Sequence, residues 1–208
     1  MSKGIFYYLS KRCLDIAVSL SLLVLALPII VLIAAAVRIR MGTPVFFRQQ
    51  RPGLNSRPFF LAKFRTMRNP RPGETLAKSD SVRITRIGRF LRSTSLDELP
   101  TLWNVLKGDM SLVGPRPLLM QYLERYTPEQ ARRQEAKPGI TGWAQVNGRN
   151  AITWEEKFRF DVGYVDNRSL WLDFRILCLT AVKVLKREGI SQEGEATMSE
   201  FMGTQRED

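Results

Sequence analysis

The sequence predicts an α+β chain that is mainly helical, with an N-terminal re-entrant membrane helix broken at a proline, a small β-hairpin and amphipathic interfacial helices. Three observations predict this fold class. Residues 16–37 form an uncharged apolar run, two β-rich runs surround a Pro-Gly turn, and three later segments have the apolar spacing of helices. We therefore expect a membrane-anchoring segment over residues 1–40 and a compact domain over residues 41–208.

The apolar run 16–37 is long enough to cross a bilayer, because a helix of that length spans roughly 33 Å. Pro28 lies near its middle, where it removes one helical hydrogen bond and predicts a kink or a break. Basic residues flank both ends, with Lys3, Lys11 and Arg12 before the run and Arg38, Arg40, Arg48 and Arg51 after it. The positive-inside rule places both ends in the cytoplasm, which favours a re-entrant helix over a kinked single span or a buried soluble helix.

The remaining elements follow in order along the chain. Residues 43–67 contain two β-rich runs around the turn 51–55, which predicts a hairpin, and residues 69–82 have the Pro, Gly and Ser content of a loop. Helices are predicted over residues 99–106, 117–133 and 170–186. The last helix combines apolar and basic residues, so it either lies flat on a membrane or packs on the core as an ordinary amphipathic helix.

Composition limits the chemistry that this chain can perform. A net charge of +12 and a pI near 10.2 predict an acidic partner, which is nucleic acid, a phosphorylated metabolite or an anionic membrane surface. The absence of histidine excludes serine–histidine triads, histidine-ligated zinc and phosphohistidine relays. Two distant cysteines, Cys13 and Cys178, predict neither a disulfide framework nor a zinc site. Carboxylates therefore become the first candidates for acid, base or nucleophilic work.

An acid pair, Asp97 and Glu98, stands out in this basic chain. The stretch Ser95-Leu96-Asp97-Glu98 matches a capping box, so one interpretation is that the acids only favour a helix N-terminus. Pro100 fits better with a helix that begins near Asp97. Such a helix start would attract anions, lower the pKa of a carboxylate and keep it ionised as a nucleophile. An ionised acid facing a diphosphate also needs a cation such as Mg²⁺ to offset the repulsion.

Arginines surround the acid pair on both sides. Four of them have three-residue spacing and form one helical face, which is either a phosphate-binding surface or a solvated stripe: Arg83, Arg86, Arg89 and Arg92. Arg116 lies between two prolines, and Arg149 lies in a glycine-rich loop that either exposes backbone N–H groups or only turns the chain. The combination of an acid pair with these cations favours phosphoryl transfer. Neither a G-x-G-x-x-G motif nor a P-loop is present.

The blocks "KFRTM", "RSTSLDELPTLWNVLKGDMSLVGPRP" and "KPGITGWAQVNGRN", together with the proline-interrupted N-terminal segment, resemble the bacterial sugar transferase family, the monotopic phosphoglycosyl transferases. The resemblance covers nearly the whole chain. It implies a polyprenyl phosphate phosphoglycosyl transferase at the cytoplasmic face of the bacterial inner membrane. Asp97 would be the nucleophile, Glu98 a metal ligand or base, and Mg²⁺ the cofactor. Phosphates would be held by Lys63, Arg92, Arg116 and Arg149.

In enzymes similar to this one, the nucleophilic Asp attacks the sugar-proximal phosphorus of a UDP-sugar. UMP leaves, and undecaprenyl phosphate then takes the phosphosugar from the carboxylate, which starts glycan assembly. The chain resembles the minimal form of the family. Its tail, "GISQEGEATMSEFMG", is similar to small members that use UDP-N,N′-diacetylbacillosamine, which implies an N-acetylated amino sugar. Membrane lipids are expected partners and nucleic acid is not, because no recognition module is present.

Two alternatives of other classes remain open at the level of the sequence. A membrane-tethered basic binding or scaffold protein would have the same charge but would tolerate the loss of Asp97 and Glu98. A glycosyl transferase of the ordinary kind would break the bond between sugar and phosphate and release UDP instead of UMP. The identity of the released nucleotide separates this second alternative from phosphoglycosyl transfer.

Overall fold

The computed structural model describes residues 2–69, 80–148, 151–186 and 200–204. Within these ranges the helices are α1 (Ser2–Met41), α2 (Asp80–Arg83), α3 (Arg86–Ser93), α4 (Thr101–Lys107), α5 (Pro128–Ala131), α6 (Trp143–Val146), α7 (Trp154–Asn167) and α8 (Leu170–Lys186). The strands are β1 (Phe46–Pro52), β2 (Pro58–Phe64), β3 (Ser111–Val113) and β4 (Gly139–Thr141). This is the mainly helical α+β architecture that the sequence predicts.

Helix α1 runs without interruption through Pro28. The expected break in the helix is therefore not found in the backbone. A proline inside a helix removes one N–H hydrogen bond and crowds one carbonyl, and the residues on both sides keep their helical hydrogen bonds here. The helix is long and apolar enough to cross a membrane, and most of its apolar surface is not covered by the rest of the chain. The re-entrant arrangement stays a prediction.

The N-terminal part of α1 is bound to the folded domain by polar contacts. The guanidinium of Arg12 donates to the carbonyls of Val105 and Leu106, at 2.6 and 2.7 Å, and so satisfies carbonyls at the C-terminus of α4. Oδ1 of Asp15 accepts from the backbone N–H of Leu112 in β3 at 3.0 Å, and Asp15 is buried. These contacts hold the start of the apolar helix against the domain.

The C-terminal part of α1 contacts the same domain through apolar side chains. Ile33 and Val37 are buried against Phe64 of β2 and Leu91 of α3. The outward side of the helix is different, because large apolar side chains there remain exposed; they include Val24, Leu25, Leu27 and Leu32. One stripe of α1 thus packs on protein, and the opposite surface is suited to lipid.

The predicted β-hairpin is confirmed. Strands β1 and β2 pair antiparallel from Phe46↔Phe64 to Pro52↔Pro58, and a 3-10 turn, Leu54–Ser56, connects them. Asn104 of α4 fixes this hairpin in place, since its side chain accepts from the N–H of Ala62 at 3.1 Å and donates to the carbonyl of Phe60 at 2.8 Å. The hairpin is therefore held next to α4, with Lys63 of β2 directed towards the acid pair.

A second sheet, which the sequence did not predict, is the short parallel pair β3 and β4. Its glycines permit a close approach of two backbones, because a Cβ on Gly139 would collide with the backbone of Gly114. The N–H of Gly139 donates to the carbonyl of Pro115 at 3.0 Å. The glycine-rich segment thus fixes Pro115 and Arg116, and at Gly139 it does not expose an N–H group for phosphate.

The predicted helices have mixed outcomes. Helix α8 has the predicted bounds, and α4 lies within one or two residues of the predicted segment 99–106. The prediction over 117–133 is wrong, since this region forms a 3-10 turn (Met120–Arg125), the short α5 and a second 3-10 turn (Arg132–Glu135). Pro128 lacks an N–H and starts a new helix, for which Thr127 and Gln130 form a capping box. Helix α7 was not predicted.

The main core lies between α4, β3, α7 and α8. Its most deeply buried apolar residues are Val105, Met110, Val113, Tyr164 and Ile176. A separate aromatic cluster forms where the segment 200–204 packs on the domain, with Phe201 buried against Tyr122 and Phe158. The predicted loop 69–82 lies mostly outside the described residues, as does most of the tail on which the sugar prediction rests.

Candidate active site

The acid pair lies in a 3-10 turn, Leu96–Glu98, that links α3 to α4. Ser95 precedes the turn with φ 56° and ψ 14°, and its side chain makes no capping hydrogen bond. The capping-box interpretation of this stretch is therefore wrong, because a left-handed residue does not aim its hydroxyl at the N–H groups that follow. Pro100 is the N-cap residue of α4, so the helix begins after the acid pair.

Glu98 is the centre of a half-buried cluster of charges. Its Oε1 accepts from Nζ of Lys63 at 2.5 Å and from a guanidinium nitrogen of Arg116 at 2.8 Å. Burial alone would raise the pKa of Glu98, but Arg116 and Lys63 outweigh it and hold that pKa well below its ordinary value. Glu98 is therefore ionised at neutral pH and fixed by two cations that approach from β2 and from the Pro115-Arg116-Pro117 segment.

Asp97 has a contrasting environment. The residue is buried, and none of the described residues donates a hydrogen bond to its carboxylate. Burial and the adjacent Glu98 raise its pKa, while Lys63, Arg92 and Arg116 partly offset that rise. The sequence argument that a helix start would lower this pKa is wrong, because Asp97 precedes the helix and desolvation dominates. An unpartnered carboxylate of this kind is a stronger nucleophile than one held by hydrogen bonds.

The four arginines upstream of the acid pair do not act together. Arg92, at the end of α3, donates from Nε to the hydroxyl of Thr66 at 3.0 Å and lies close enough to Asp97 to affect its pKa. Arg86 and Arg89 are exposed on the same helix, and Arg83 donates to the carbonyl of Arg68. The solvated-stripe interpretation thus applies to Arg86 and Arg89, and the phosphate-binding interpretation remains for Arg92.

A buried ion pair supports Arg116 from behind. Arg133 donates to the backbone carbonyl of Arg116 at 2.8 Å, and its guanidinium binds Oδ2 of Asp161 through Nε at 3.0 Å and through a terminal nitrogen at 2.6 Å. The side chains of Arg133 and Asp161 are only 1% and 2% exposed. Sequence reasoning missed both residues, since they are 28 positions apart in the chain and no local pattern joins them.

Most of the predicted site residues lie close together in the structure. The structure collects Asp97, Glu98, Lys63, Arg92 and Arg116 around one turn. Arg149 lies outside the described residues. The sequence marked Arg51 as a membrane flank and as the first residue of the predicted turn; burial, and after it the guanidinium of Arg116, lowers the pKa of Arg51 to about 10.

The carboxylates fit the ligand preference of Mg²⁺. The described residues contain no group of three or more His, Cys, Asp or Glu side chains that could hold a metal. A pair of carboxylates suits Mg²⁺, which commonly binds through one or two protein carboxylates and completes its shell with water and substrate phosphate. Both carboxylate oxygens of Asp97 and Oε2 of Glu98 accept no hydrogen bond from the described residues, so they are free to serve as ligands.

Comparison with known proteins decides the family. A model of the bacterial sugar transferase family matches residues 6–187. The chain belongs to the bacterial sugar transferase family. An uncharacterized sugar transferase of Bacillus subtilis strain 168, EpsL, is 57% identical over 194 residues, which cover 93% of this chain and 96% of that protein. The family and the enzyme class that the sequence resembled are thereby confirmed.

Other members of the family are longer and have named activities. A UDP-glucose:undecaprenyl-phosphate glucose-1-phosphate transferase of Xanthomonas campestris is 48% identical over 165 residues, which cover 73% of this sugar transferase but 34% of that protein. An undecaprenyl-phosphate galactose phosphotransferase of Salmonella typhimurium is 41% identical over 196 residues, covering 86% of this chain and 41% of that one. The chain spans less than half the length of these two relatives.

Proposed function

We propose that this sugar transferase moves a sugar 1-phosphate from a UDP-sugar to undecaprenyl phosphate and releases UMP, through an aspartyl-phosphosugar intermediate. The observation that carries the proposal is the buried carboxylate of Asp97, which accepts no hydrogen bond from the described residues, beside a Glu98 that is paired with Lys63 and Arg116. Family relatives named as undecaprenyl-phosphate sugar-1-phosphate transferases support the same reaction.

In the first step, a carboxylate oxygen of Asp97 attacks the sugar-proximal phosphorus. An O–P bond to Asp97 forms as the bond from that phosphorus to the oxygen of UMP breaks, and UMP leaves with the electron pair. Asp97 must be ionised to attack, and the cations Lys63, Arg92 and Arg116 favour that state. The same cations stabilise the charge that develops on the phosphoryl oxygens, which is the main source of catalysis in phosphoryl transfer.

In the second step, an oxygen of the lipid phosphate attacks the same phosphorus. The O–P bond to Asp97 breaks, a polyprenyl diphosphate sugar forms, and the carboxylate is regenerated. Both steps use one cation cluster, because the leaving UMP vacates the position that the acceptor phosphate needs. When Mg²⁺ is bound, it would supply further neutralisation of phosphate charge, with Asp97 and Glu98 as its protein ligands. Two displacements at the same phosphorus thus replace one direct displacement of UMP by the lipid phosphate.

We also propose that α1 enters the membrane from one side, at the cytoplasmic face of the bacterial inner membrane. Its two ends contact the same domain: Arg12 and Asp15 near the start, and Ile33 and Val37 near the end. A helix that crossed the bilayer would carry the start to the opposite side, roughly 30 Å away from the domain. An unbroken helix with contacts near both ends lies along the domain, with its exposed apolar surface against one leaflet, and this placement brings the acid pair near the lipid phosphate.

The sugar is proposed to be an N-acetylated amino sugar, on the basis of the tail that resembles small members of the family. Relatives named for glucose or galactose provide the competing substrates for a test. A panel of UDP-N-acetylated amino sugars, UDP-glucose and UDP-galactose therefore covers both groups. The expected result is that turnover with the N-acetylated amino sugars exceeds turnover with the two hexoses.

The experiment that tests the reaction is intact-protein mass spectrometry of the detergent-purified enzyme with Mg²⁺ and each UDP-sugar, without lipid acceptor. We expect a mass increase equal to one phosphosugar that maps to Asp97, together with release of UMP. Release of UDP would instead support an ordinary glycosyl transferase. Turnover with added undecaprenyl phosphate but no adduct at any time would favour direct attack by the lipid phosphate.

A matched pair of variants separates the enzyme from a scaffold. Asp97→Asn removes the nucleophilic charge at nearly constant volume, and Asp166→Asn changes an exposed acid of α7 outside the site. We expect Asp97→Asn to abolish the adduct and Asp166→Asn to keep it. Wild-type levels of glycan product in cells that contain only Asp97→Asn would contradict a catalytic role and support a scaffold.

A further inference from the structure

The C-terminal segment 200–204 packs on the domain through Phe201. The side chain of Phe201 is only 2% exposed. Its ring centroid lies 4.9 Å from that of Phe158 in α7 and 5.7 Å from that of Tyr122 in the 3-10 turn Met120–Arg125. The N–H of Phe201 donates to the hydroxyl of Tyr122 at 3.3 Å, and its carbonyl accepts from the guanidinium of Arg125. Both the ring and the main chain of Phe201 are thus bound by the domain.

Polar contacts hold the C-terminal segment on both sides of Phe201. The carboxylate of Glu200 accepts from the guanidinium of Arg125 at 2.9 Å. On the other side, the side chain of Gln130, which also caps α5, donates to the hydroxyl of Thr204 at 2.7 Å. Partly exposed contacts of this kind contribute little to the free energy of unfolding. They do set the position at which Phe201 enters the domain.

The rings that pack on Phe201 also contact Arg133, which supports the active site from behind. The guanidinium carbon of Arg133 lies 5.8 Å from the ring centroid of Tyr126 and 5.7 Å from that of Phe158. The same two rings lie 6.0 and 4.9 Å from the ring of Phe201. A terminal nitrogen of Arg133 donates to the backbone carbonyl of Arg116 at 2.8 Å. A continuous series of contacts therefore joins Phe201 to Arg116.

The aromatic cluster that Phe201 completes is separate from the main core. Its buried members, Phe201, Tyr122 and Phe158, form a group apart from the main core between α4, β3, α7 and α8. Arg133 keeps its counter-charge, Asp161, whether or not Phe201 is present. Loss of the Phe201 ring would leave a cavity into which the neighbouring rings shift. Such a shift would loosen the placement of Arg133 and leave the main core in place.

We propose that Phe201 is a positioning residue of the reaction, which acts through the aromatic cluster and Arg133 on the backbone at Arg116. The proposal rests on the reaction proposed above. Arg116 binds Glu98 at 2.8 Å, and in that reaction it stabilises the charge that develops on the phosphoryl oxygens. Stabilisation of this kind requires accurate placement of the donor, so a loosened Arg116 slows the chemical step more than it weakens substrate binding.

The test compares Phe201→Ala and Phe201→Leu with the control Met202→Ala, which changes a neighbouring side chain that is 75% exposed. Initial rates of UMP release are measured on the full chain with Mg²⁺, undecaprenyl phosphate and each UDP-sugar that the wild type accepts, below the unfolding temperature of every variant. We expect Phe201→Ala to lower kcat at least tenfold, with KM values within twofold of the wild type. Phe201→Leu should restore most of the rate, because Leu refills much of the cavity. Met202→Ala should match the wild type.

A second comparison tests the route through Arg133. Arg133→Lys keeps the charge opposite Asp161 but loses the planar donors. If Phe201 acts through Arg133, the double variant with Phe201→Ala and Arg133→Lys should have a kcat within twofold of that of Arg133→Lys alone. A kcat in the double variant that falls by the product of the two single losses would overturn this route.

Three further results would overturn the proposal. An unchanged kcat in a folded Phe201→Ala variant would exclude a positioning role, and a change in KM at constant kcat would place the segment in substrate binding. Losses in kcat that differ tenfold between UDP-sugars would assign the segment to sugar selection. If Phe201→Ala fails to fold, Phe201→Leu and its double variant with Arg133→Lys supply the same comparisons. Failure of the proposed reaction is separate, because it appears as UDP release or no adduct in the wild type.

Discussion

Asp97 and Glu98 are adjacent in the chain and have opposite electrostatic environments. Glu98 accepts hydrogen bonds from two cations, and its pKa is lowered; Asp97 accepts none from the described residues, and its pKa is raised. Environments that separate the pKa values of two acids also assign them different roles. The paired acid is suited to a fixed anionic role as a metal ligand, and the unpaired acid is suited to attack.

The raised pKa of Asp97 predicts that Asp97→Asn stabilises the protein at neutral pH. A pKa that is higher in the folded state means that the ionised form costs stability above that pKa, and the cost disappears as pH falls through it. We expect a thermal unfolding midpoint above that of the wild type at pH 7 and a smaller difference at pH 4.5, with no adduct at either pH. Equal or lower midpoints for Asp97→Asn at pH 7 would contradict the proposed environment.

Glu98→Gln should have the opposite effect on stability. The lowered pKa of Glu98 means that its ionised form stabilises the fold above its unfolded-state pKa, and this contribution is lost as pH falls towards the folded-state pKa. Removal of the charge leaves Lys63 and Arg116 without a partner, and Arg116 is partly exposed. We expect a loss of about 2–3 kcal/mol, below the roughly 3–5 kcal/mol of a fully buried pair, in denaturant titrations at pH 7.

The control for Glu98→Gln is Glu129→Gln, which removes an exposed ion pair with Arg132. Such a pair contributes at most about 1 kcal/mol. The denaturant unfolding curve of Glu129→Gln should therefore nearly coincide with that of the wild type. An equal loss of unfolding free energy in both variants would show that the ion pairs of Glu98 stabilise the fold no more than an exposed ion pair does.

At the scale of elements, the position of Arg116 depends on contacts between segments that are distant in the chain. The parallel pair β3 and β4 fixes Pro115 by the close packing of Gly114 on Gly139, and Arg133 holds the carbonyl of Arg116. Helix α7 contributes Asp161, which keeps the guanidinium of Arg133 in place. The charge cluster around Glu98 is therefore supported by contacts with β3, β4 and α7.

Asp161→Asn is predicted to weaken both stability and catalysis. It leaves the buried guanidinium of Arg133 without a counter-charge, at a cost of roughly 3–5 kcal/mol. The matched control is Asp166→Asn, on the same helix, whose partner Arg132 belongs to the same 3-10 turn but is exposed. We expect kcat to fall at least tenfold for Asp161→Asn and to remain unchanged for Asp166→Asn, when both are assayed below their unfolding temperatures.

At the scale of the whole molecule, α1 is the part of the chain suited to contact a membrane. One stripe of the helix packs on the domain at both ends, and the other surface exposes large apolar residues. The net charge of +12 favours the anionic cytoplasmic leaflet. In the proposed arrangement, membrane anchoring and catalysis are combined in one folded unit, because the apolar helix α1 also contacts α4 and β3 next to the acid pair.

The native cysteines provide a test of the one-sided insertion. Cys13 precedes the apolar run, Cys178 lies in α8, and both are exposed in the described structure. We expect an impermeant maleimide to label both in inverted inner-membrane vesicles and neither in intact spheroplasts. Labelling of Cys13 from the outside and Cys178 from the inside would show a spanning helix. Cys13→Ser and Cys178→Ser identify which site is labelled.

Local patterns in the sequence were sufficient for several features. The apolar run 16–37 predicted a helix there, although not its uninterrupted passage through Pro28. The Pro-Gly turn and the spacing of helix 170–186 predicted the hairpin and α8, because each depends on residues that are close in the chain. The acid-pair block was specific enough to indicate the family, since its motif is contiguous. The prediction of one helix over 117–133 was wrong because Thr127 and Pro128 begin a new helix, which interrupts the element that the apolar periodicity indicated.

Only the tertiary structure decided how the site works. Lys63 and Arg116 lie 35 and 18 positions from Glu98, and Arg133 lies 28 positions from Asp161. Which cation meets which acid depends on the packing of β2, α3 and α7, and so does the desolvation that separates the pKa values of Asp97 and Glu98. The sequence by itself determined which groups are available for chemistry, whereas long-range packing determined their charge states, because burial and pairing are properties of the folded chain.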